Sequence, residues 1–443
     1  MCSSLRAAIA FSAKAFPAAW KKSKLSWRPP EACHTRSMTW PLDEYHDRRP
    51  IVVVGGGFAG ASFALAAASP ECPVLVVEAV VPGAGDDGFD ARSTALSWGT
   101  RRIFESLGVW DELGAAPCPI HRIEVTDQGH LGGVSFDHRE QRQEALGYVV
   151  ENHALGKALQ ERLAASEHID VLAPANVASA RPVPEGMELR IRQDGNEHEL
   201  TAVLTVLADG GRSPIAAQLG IGRQLKSYGQ HALVANIALE RAHRNIAYER
   251  FTEHGPLAVL PLPAAEGVHR ASLVWTLPEA LAREYLELPE DELLPLLQGD
   301  FGPGMGSVAG IGRRACFPLQ LSRAGEQARP GLALIGNAAH TLHPVAGQGF
   351  NLALRDCQAL ARVVREAAGR GQWPGDMAVL QTYIDEQEFD QEKTILFTDL
   401  LVGLFSGGSA AKAAFRRLGL LALDLLPPVR RRFVSNAMGL GSF

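Results

Sequence analysis

Apolar and polar positions along the chain fall into three regimes. Short, mostly apolar runs at 51–54, 74–77, 202–207 and 332–335 have the length of strands buried on both faces, as in a parallel sheet. Helical spacing predicts a helix behind Gly57, one to Leu107 that Gly108 stops, one over 152–163, and one after Asn351. In the last, Ala353, Cys357, Leu360, Val364 and Ala367 share a face and Gly369 ends the run. Further strands are predicted over 120–126 and 146–150. From Tyr228 to about Leu319 the pattern changes to alternation, at 233–238, 248–251, 257–262 and 271–276. Such alternation predicts an antiparallel sheet inserted between parts of the parallel one.

The first apolar run leads into Gly55, Gly56, Gly57, Phe58, Ala59 and Gly60, and the second ends at Glu78, 18 residues after Gly60. This is the spacing of a dinucleotide cradle. Gly55 permits the tight turn, Gly57 lets a pyrophosphate approach the backbone, and Gly60 lets the helix pack on its strand. The helix N-terminus offers free N–H groups and partial positive charge to an anion, and Glu78 can accept hydrogen bonds from the adenosine ribose. The alternative is a bare βαβ unit with no ligand, and this segment alone does not separate NAD from FAD.

Two more motifs end apolar runs. Asp209 and Gly210 follow the run 202–207, and Gly336 and Asn337 follow 332–335, leading through Pro344 to Gly347, Gln348, Gly349, Phe350 and Asn351. In parallel sheets, ligands bind at the C-terminal ends of strands. Motifs spread over nearly 300 residues need a long ligand if they act together, which favours FAD. Its isoalloxazine would reach a second helix N-terminus at Gly347, Gln348 and Gly349, whose N–H groups stabilise negative charge on the reduced ring.

Composition narrows the class without changing that picture. The 443 residues are 46% hydrophobic and 21% charged, enough for two or three domains with sizeable cores. No stretch has the roughly 18 consecutive apolar residues of a membrane span, so a soluble or surface-bound protein is expected. The net charge of −6 argues against a general nucleic-acid binder. Six cysteines without CxxC spacing indicate neither a zinc site nor a disulfide framework, which fits a reducing, cytoplasmic setting. His340 and His343 lack a third ligand, so no metal site is expected. Before Met38, seven Lys or Arg stand against the single acid Glu31. A transit peptide or a non-native upstream start would both look so, and the second reading is preferred. At the other end, Lys412, Arg416, Arg417, Arg430, Arg431 and Arg432 interleave with Leu404, Phe405, Leu418, Leu420, Leu421, Leu423, Leu425 and Leu426. This composition suits either an anionic membrane surface or a helical bundle packed on the core.

The order of the three motifs resembles the class A flavoprotein monooxygenases over about residues 50–440. The stretches 89–92, 147–151, 255–262 and 336–352 are most similar to the ubiquinone-biosynthesis hydroxylases, and within them to the 2-octaprenyl-6-methoxyphenol hydroxylase branch. The resemblance implies an α/β fold: a Rossmann-like FAD-binding domain over 49–227 and 318–372, an inserted antiparallel β-sheet substrate domain over 228–317, and a helical C-terminal region over 373–443. Residues 1–48 are read as an extension.

The resemblance further implies non-covalent FAD, reduced by NADH or NADPH docking transiently. A flavin C4a-hydroperoxide would then pass one atom of O2 to a polyprenyl phenol. It places Arg92, Asn337 and Pro344 along the flavin, and Arg250, Phe251 and Leu260 beside the substrate. The wider class has Asp where Asn337 stands, often Arg or Gln where Asn152 and His153 stand, and a basic residue near Ala216, for which Arg212 is the substitute here. No general base is identified. Tyr228, His254 and His340 qualify only by chemical type. A flavin halogenase would need two tryptophans where only Trp275 stands. A sister hydroxylase acting at another ring carbon, or a catalytically silent flavin-binding scaffold within a quinone-synthesis assembly, would carry the same motifs. A peripheral position on the inner membrane, among other quinone-biosynthesis proteins, would suit such a substrate.

Overall fold

Four consecutive β-branched residues need cover on both faces, and Ile51–Val54 obtains it at the centre of a sheet. A computed structural model describes residues 49–81, 92–128, 133–302, 304, 306–343, 347–405 and 438, with backbone alone for 401, 404 and 405. In it, Ile51–Val54 pairs in parallel with Val74–Val77 on one side and Leu204–Leu207 on the other. Ile169–Leu172 and Leu332–Leu334 extend the parallel sheet outward, and the short Ala328–Arg329 closes one edge antiparallel. The helices Phe58–Ala67, Asn152–Ala164 and Gln348–Gly369 share a core with these strands, in which Phe63, Leu155, Leu159, Leu354 and Leu360 are all but inaccessible to solvent. Full burial of each such side chain stabilises by roughly 1.5–3 kcal/mol.

The alternating region forms a second, mainly antiparallel sheet. Arg223–Leu239 lies between Ala315–Ala324 and Val268–Pro278, followed by Pro256–Ala265 and Ile246–Phe251. The sheet runs past the expected span 228–317 in both directions. It also recruits Arg122–Asp127, which pairs in parallel with Ile246–Phe251, and Gly133–Asp137. A strand near 120–126 is legible from its alternation, but its partner more than 100 residues away is not. Two helices also fall inside the alternating span, Glu279–Glu287 and Glu290–Phe301.

These helices cover one face of the sheet. Leu233, Ala235, Ile237, Leu257, Val259, Leu273 and Trp275 pack there against Leu293, Leu297 and Phe301. Because side chains alternate along a strand, their sequence neighbours point the other way. That opposite face is turned toward the nucleotide-binding part: Leu260, Leu262 and Ala247 cluster with Trp98, Leu146 and Val149. On the same side the Arg270 guanidinium holds both oxygens of the Glu151 carboxylate at 3.0–3.1 Å, and Asn236 Nδ2 donates to it at 3.4 Å.

Candidate active site

The first motif is built as its glycines require. Gly55 has φ +103°, and a Cβ on it would lie 2.7 Å from the Ala208 carbonyl oxygen. A Cβ on Gly60 would lie 1.9 Å from the Gly55 oxygen, so helix and turn are in direct backbone contact. Gly57 is the opposite case, since nothing lies within 4 Å of the position its Cβ would take. It precedes Phe58–Ala67 as an N-cap without a side-chain cap, and no acid occupies the first turn. The N–H groups there are left to an anionic ligand, so the cradle fits a pyrophosphate. Glu78 accepts from the Gly56 N–H at 2.5 Å and the Val80 N–H at 3.0 Å, which leaves lone pairs for ribose hydroxyls.

The fold brings the other two motifs against the first. Gly55 abuts Asp209, and Gly336 is close enough to Ala59 that a Cβ on it would lie 2.9 Å from the alanine's. The space beside Gly211 is bounded by the Asn337 carbonyl. Asp209 ties its own turn, accepting from the Gly211 and Ser213 N–H groups at 2.8 and 2.9 Å across the left-handed Gly210. Asn337 is exposed on the short 3-10 turn Gly336–Ala338. Sequence reasoning missed what holds it. Arg223 donates to the Asn337 and Ala338 carbonyls at 2.9 and 2.6 Å and is itself braced by Ser322 Oγ. The cation beside the Asp-Gly motif is therefore Arg223, while Arg212 points to solvent.

The second helix N-terminus begins at Gly347 and packs beside the strand Ser93–Ser97. Gly347, left-handed at φ +61°, precedes Gln348–Gly369 without a side-chain cap or an acid in the first turn, so this end also suits an electron-rich ring edge. Its Cβ position is 3.0 Å from that of Ala95, in the strand Ser93–Ser97 that follows Arg92. Gln348 is buried and Gly349 approaches Leu342. Pro344 and residues 89–91 lie outside the described residues. Arg92 is exposed, with its guanidinium 5.4 Å from the centre of the Phe317 ring, on the side of the second sheet away from its two covering helices.

The structure gives three of the expected site residues other contacts. Asn351 does not offer its side chain to a ligand: Nδ2 donates to the Ala95 and Gly347 carbonyls at 3.0 and 2.7 Å, and Oδ1 accepts from the Ser97 N–H and Thr100 hydroxyl at 2.9 and 2.6 Å. All four positions are used, so it positions the turn instead. Phe350 packs its ring on Phe58 and Phe104, joining the two site helices through side chains. Arg250 is on the wrong face. It shares the helix-covered side with Tyr248, its guanidinium lying against Gly302, whereas Phe251 and Leu260 face the nucleotide-binding side.

The three candidates for a base are each engaged elsewhere. Burial, then Asp399, whose Oδ1 accepts from its hydroxyl at 2.9 Å, hold the Tyr228 pKa well above the phenol range. His340 Nε2 hydrogen-bonds Asp356 Oδ2 at 2.6 Å inside the core, with Gln391 Nε2 donating to the other carboxylate oxygen at 3.0 Å. His254 sits 3.5 Å from Glu253 past the end of the strand.

A family model described as an FAD binding domain matches residues 48–392. A ubiquinone hydroxylase UbiL of Rhodospirillum rubrum is 37% identical over 412 residues, 93% of each chain. A 3-demethoxyubiquinol 3-hydroxylase of Escherichia coli is 32% identical over 392 residues, 88% of this chain and 98% of its own. Among solved structures, p-nitrophenol 4-monooxygenase PnpA of Pseudomonas putida shares the fold with a TM-score of 0.72 at 16% identity, covering 88% of this chain and 98% of that one. The glycine cradle, the converging Asp-Gly and Gly-Asn turns and the second uncapped helix therefore belong to a member of the FAD-binding-domain family, a FAD-dependent monooxygenase of class A.

Proposed function

We propose that the chain hydroxylates the aromatic ring of a polyprenyl phenol, of the 2-polyprenyl-6-methoxyphenol type, in ubiquinone biosynthesis. One observation of the site carries this reading. The flavin-facing side of the second sheet presents a single register row of small apolar residues, Val125, Ala258, Val274, Val234 and Ala315, interrupted only by Glu249. Most of the row is half-buried. Such a surface suits a flat apolar ring with an aliphatic tail. The ubiquinone-related names of the relatives support the same substrate class.

FAD would lie along Gly57, Glu78, Asn337 and Gly347 and, once reduced by NADH or NADPH, would activate O2. The chain's own work is positioning and exclusion of water. The cradle fixes the dinucleotide end, Asn351 and Arg223 fix the two turns beside the ring, and the apolar row holds the phenol with its electron-rich carbon toward the flavin. In the balance, phenol, O2, NAD(P)H and a proton give the hydroxylated phenol, water and NAD(P)+. We assign the sheet built around 228–317 as the substrate domain and the basic tail as its contact with the membrane that stores the substrate.

The deciding experiment supplies purified holoprotein with NADH or NADPH, O2 and a set of short-chain prenylated phenols. A ring-hydroxylated product formed in step with NAD(P)H consumption is the expected outcome, and its ring position separates this reaction from that of a sister hydroxylase. Flavin-loaded protein that forms no hydroxylated product from any of them would mark a silent scaffold.

A further inference from the structure

We propose that Glu249 is the group that accepts the phenolic proton of the substrate. The inference rests on the phenol-hydroxylase reading given above. Glu249 lies in the strand Ile246–Phe251, in register with Val125 of one neighbouring strand and Ala258 of the other, with Val274 next across the sheet. Its own strand points Ala247 and Phe251 the same way, while Tyr248 and Arg250 face the helices. The carboxyl group therefore stands on the flavin-facing side as the one polar group of an apolar row.

It is half-buried in mid-strand, with its main chain paired on both sides, so the part left accessible is side chain. Among the described residues no donor or cation hydrogen-bonds or ion-pairs with it. The groups facing it from the adjoining strands are Ile123 and Val125 on one side and Ala258 and Leu260 on the other. Asp127 is the titratable group on the same face of the neighbouring strand, and the Glu151–Arg270 pair lies farther along. Trp98, Leu146 and Val149 cover the region from the nucleotide-binding side. A carboxylate placed so has no internal partner and awaits a donor from a ligand.

A phenol hydroxyl is such a donor. Burial alone pushes the Glu249 pKa up to about 7, which brings the group close to working pH, where a general base is most effective. As the oxygen atom bonds to the ring carbon, the phenol O–H bond breaks toward a Glu249 carboxylate oxygen. Its electron pair moves into the ring and makes that carbon more nucleophilic. The proton held by Glu249 then leaves with the second oxygen atom as water, and the hydrogen of the attacked carbon moves to the former phenol oxygen as the ring regains aromaticity.

The test compares wild type, Glu249→Gln and Glu249→Asp as FAD-loaded proteins, using a 2-methoxyphenol with a single short prenyl group. Flavin content and melting temperature verify that each variant is folded. Product formation by Glu249→Gln should fall about 100-fold or more in kcat, with partial recovery in Glu249→Asp. The acid limb of the wild-type kcat/KM profile, near pH 7, should vanish in the Gln variant, whose activity should instead climb toward the ionisation of the free phenol. The ultraviolet absorption of the bound phenol should show phenolate in wild type near pH 8 and neutral phenol in the Gln variant. If wild type hydroxylates the phenol and Glu249→Gln matches it in kcat and pH profile, or differs only in KM, this inference falls and the hydroxylase reading stands. If wild type makes no hydroxylated phenol, the hydroxylase reading falls and takes this inference with it.

Discussion

Two glycines three positions apart, Gly57 and Gly60, show how differently one added carbon acts. At Gly57 the backbone is ordinary for any residue, with φ −65°, and the Cβ site is open, so Gly57→Val should fold and lose FAD because the side chain fills the pyrophosphate position. The ratio of flavin absorbance to protein, read beside circular dichroism, checks this; a folded Gly57→Val with full flavin would remove the cradle from the site. Gly60→Ala should instead fail to fold, because its methyl would meet the Gly55 carbonyl. A second residue reports on pH. His343 is buried against the Tyr228 ring, and burial lowers its pKa from 6.5 to about 4. Its unfolded form thus binds a proton that the folded form refuses, so its contribution to stability is complete above about pH 6.5 and is lost as pH falls toward 4, in all about 3 kcal/mol. Urea midpoints at pH 7 and pH 4.5 should fall less steeply for His343→Phe than for wild type.

At the scale of elements, the site depends on joints between pieces distant in sequence. Asn351, in the first turn of Gln348–Gly369, clips that helix to the strand Ser93–Ser97 and the start of Trp98–Ser106. Asn351→Leu would orphan two carbonyls, an N–H and a hydroxyl in a buried place, at about 1–3 kcal/mol for each group that finds no other partner. A loss of at least about 3 kcal/mol in chemical denaturation is expected, with weaker FAD binding measured by dialysis. Unchanged stability would mean that the turn holds without this clip. The short motifs were legible because a glycine turn, a strand and a helix N-terminus are local events. The role of Asn351 was not, since its partners lie about 250 residues away and only folding brings Ala95, Ser97 and Thr100 to it.

At the scale of the molecule, the proposed polyprenyl substrate raises the matter of access to a bilayer. No described helix is long and apolar enough to cross a bilayer. The final described helix, Met377–Phe405, exposes Phe389, Leu396 and Leu400 at 78, 59 and 54%, spaced by seven and four residues and so on one side. It leads into the basic tail beyond residue 405, which lies outside the described residues. Replacing Arg416, Arg417, Arg430, Arg431 and Arg432 by Gln should weaken binding to anionic vesicles, by roughly 1 kcal/mol per residue at low salt and less at high salt. Turnover of a short, water-soluble phenol should persist in this variant, while turnover of a long-chain phenol in vesicles should drop. Wild-type protein that ignores such vesicles would remove the membrane role from the tail.

By itself the chain determined whatever depends on neighbours in sequence: the buried strand before the cradle, the freedom needed at Gly55, the acid at Glu78, the alternation that announces a sheet, and the family motifs that imply FAD. Each rests on short windows of about 30 residues or fewer, several of them taken together for the sheet and the family motifs, where sterics and hydrophobic period act directly. The tertiary structure decided which face of that sheet is turned toward the nucleotide-binding part. Alternation at Tyr248, Glu249, Arg250 and Phe251 puts two residues on each side, but it is the packing of Glu279–Glu287 and Glu290–Phe301 on one side that leaves Arg250 with the helices and Glu249 on the opposite face. A period of two is the same read from either face, so the choice comes from long-range burial.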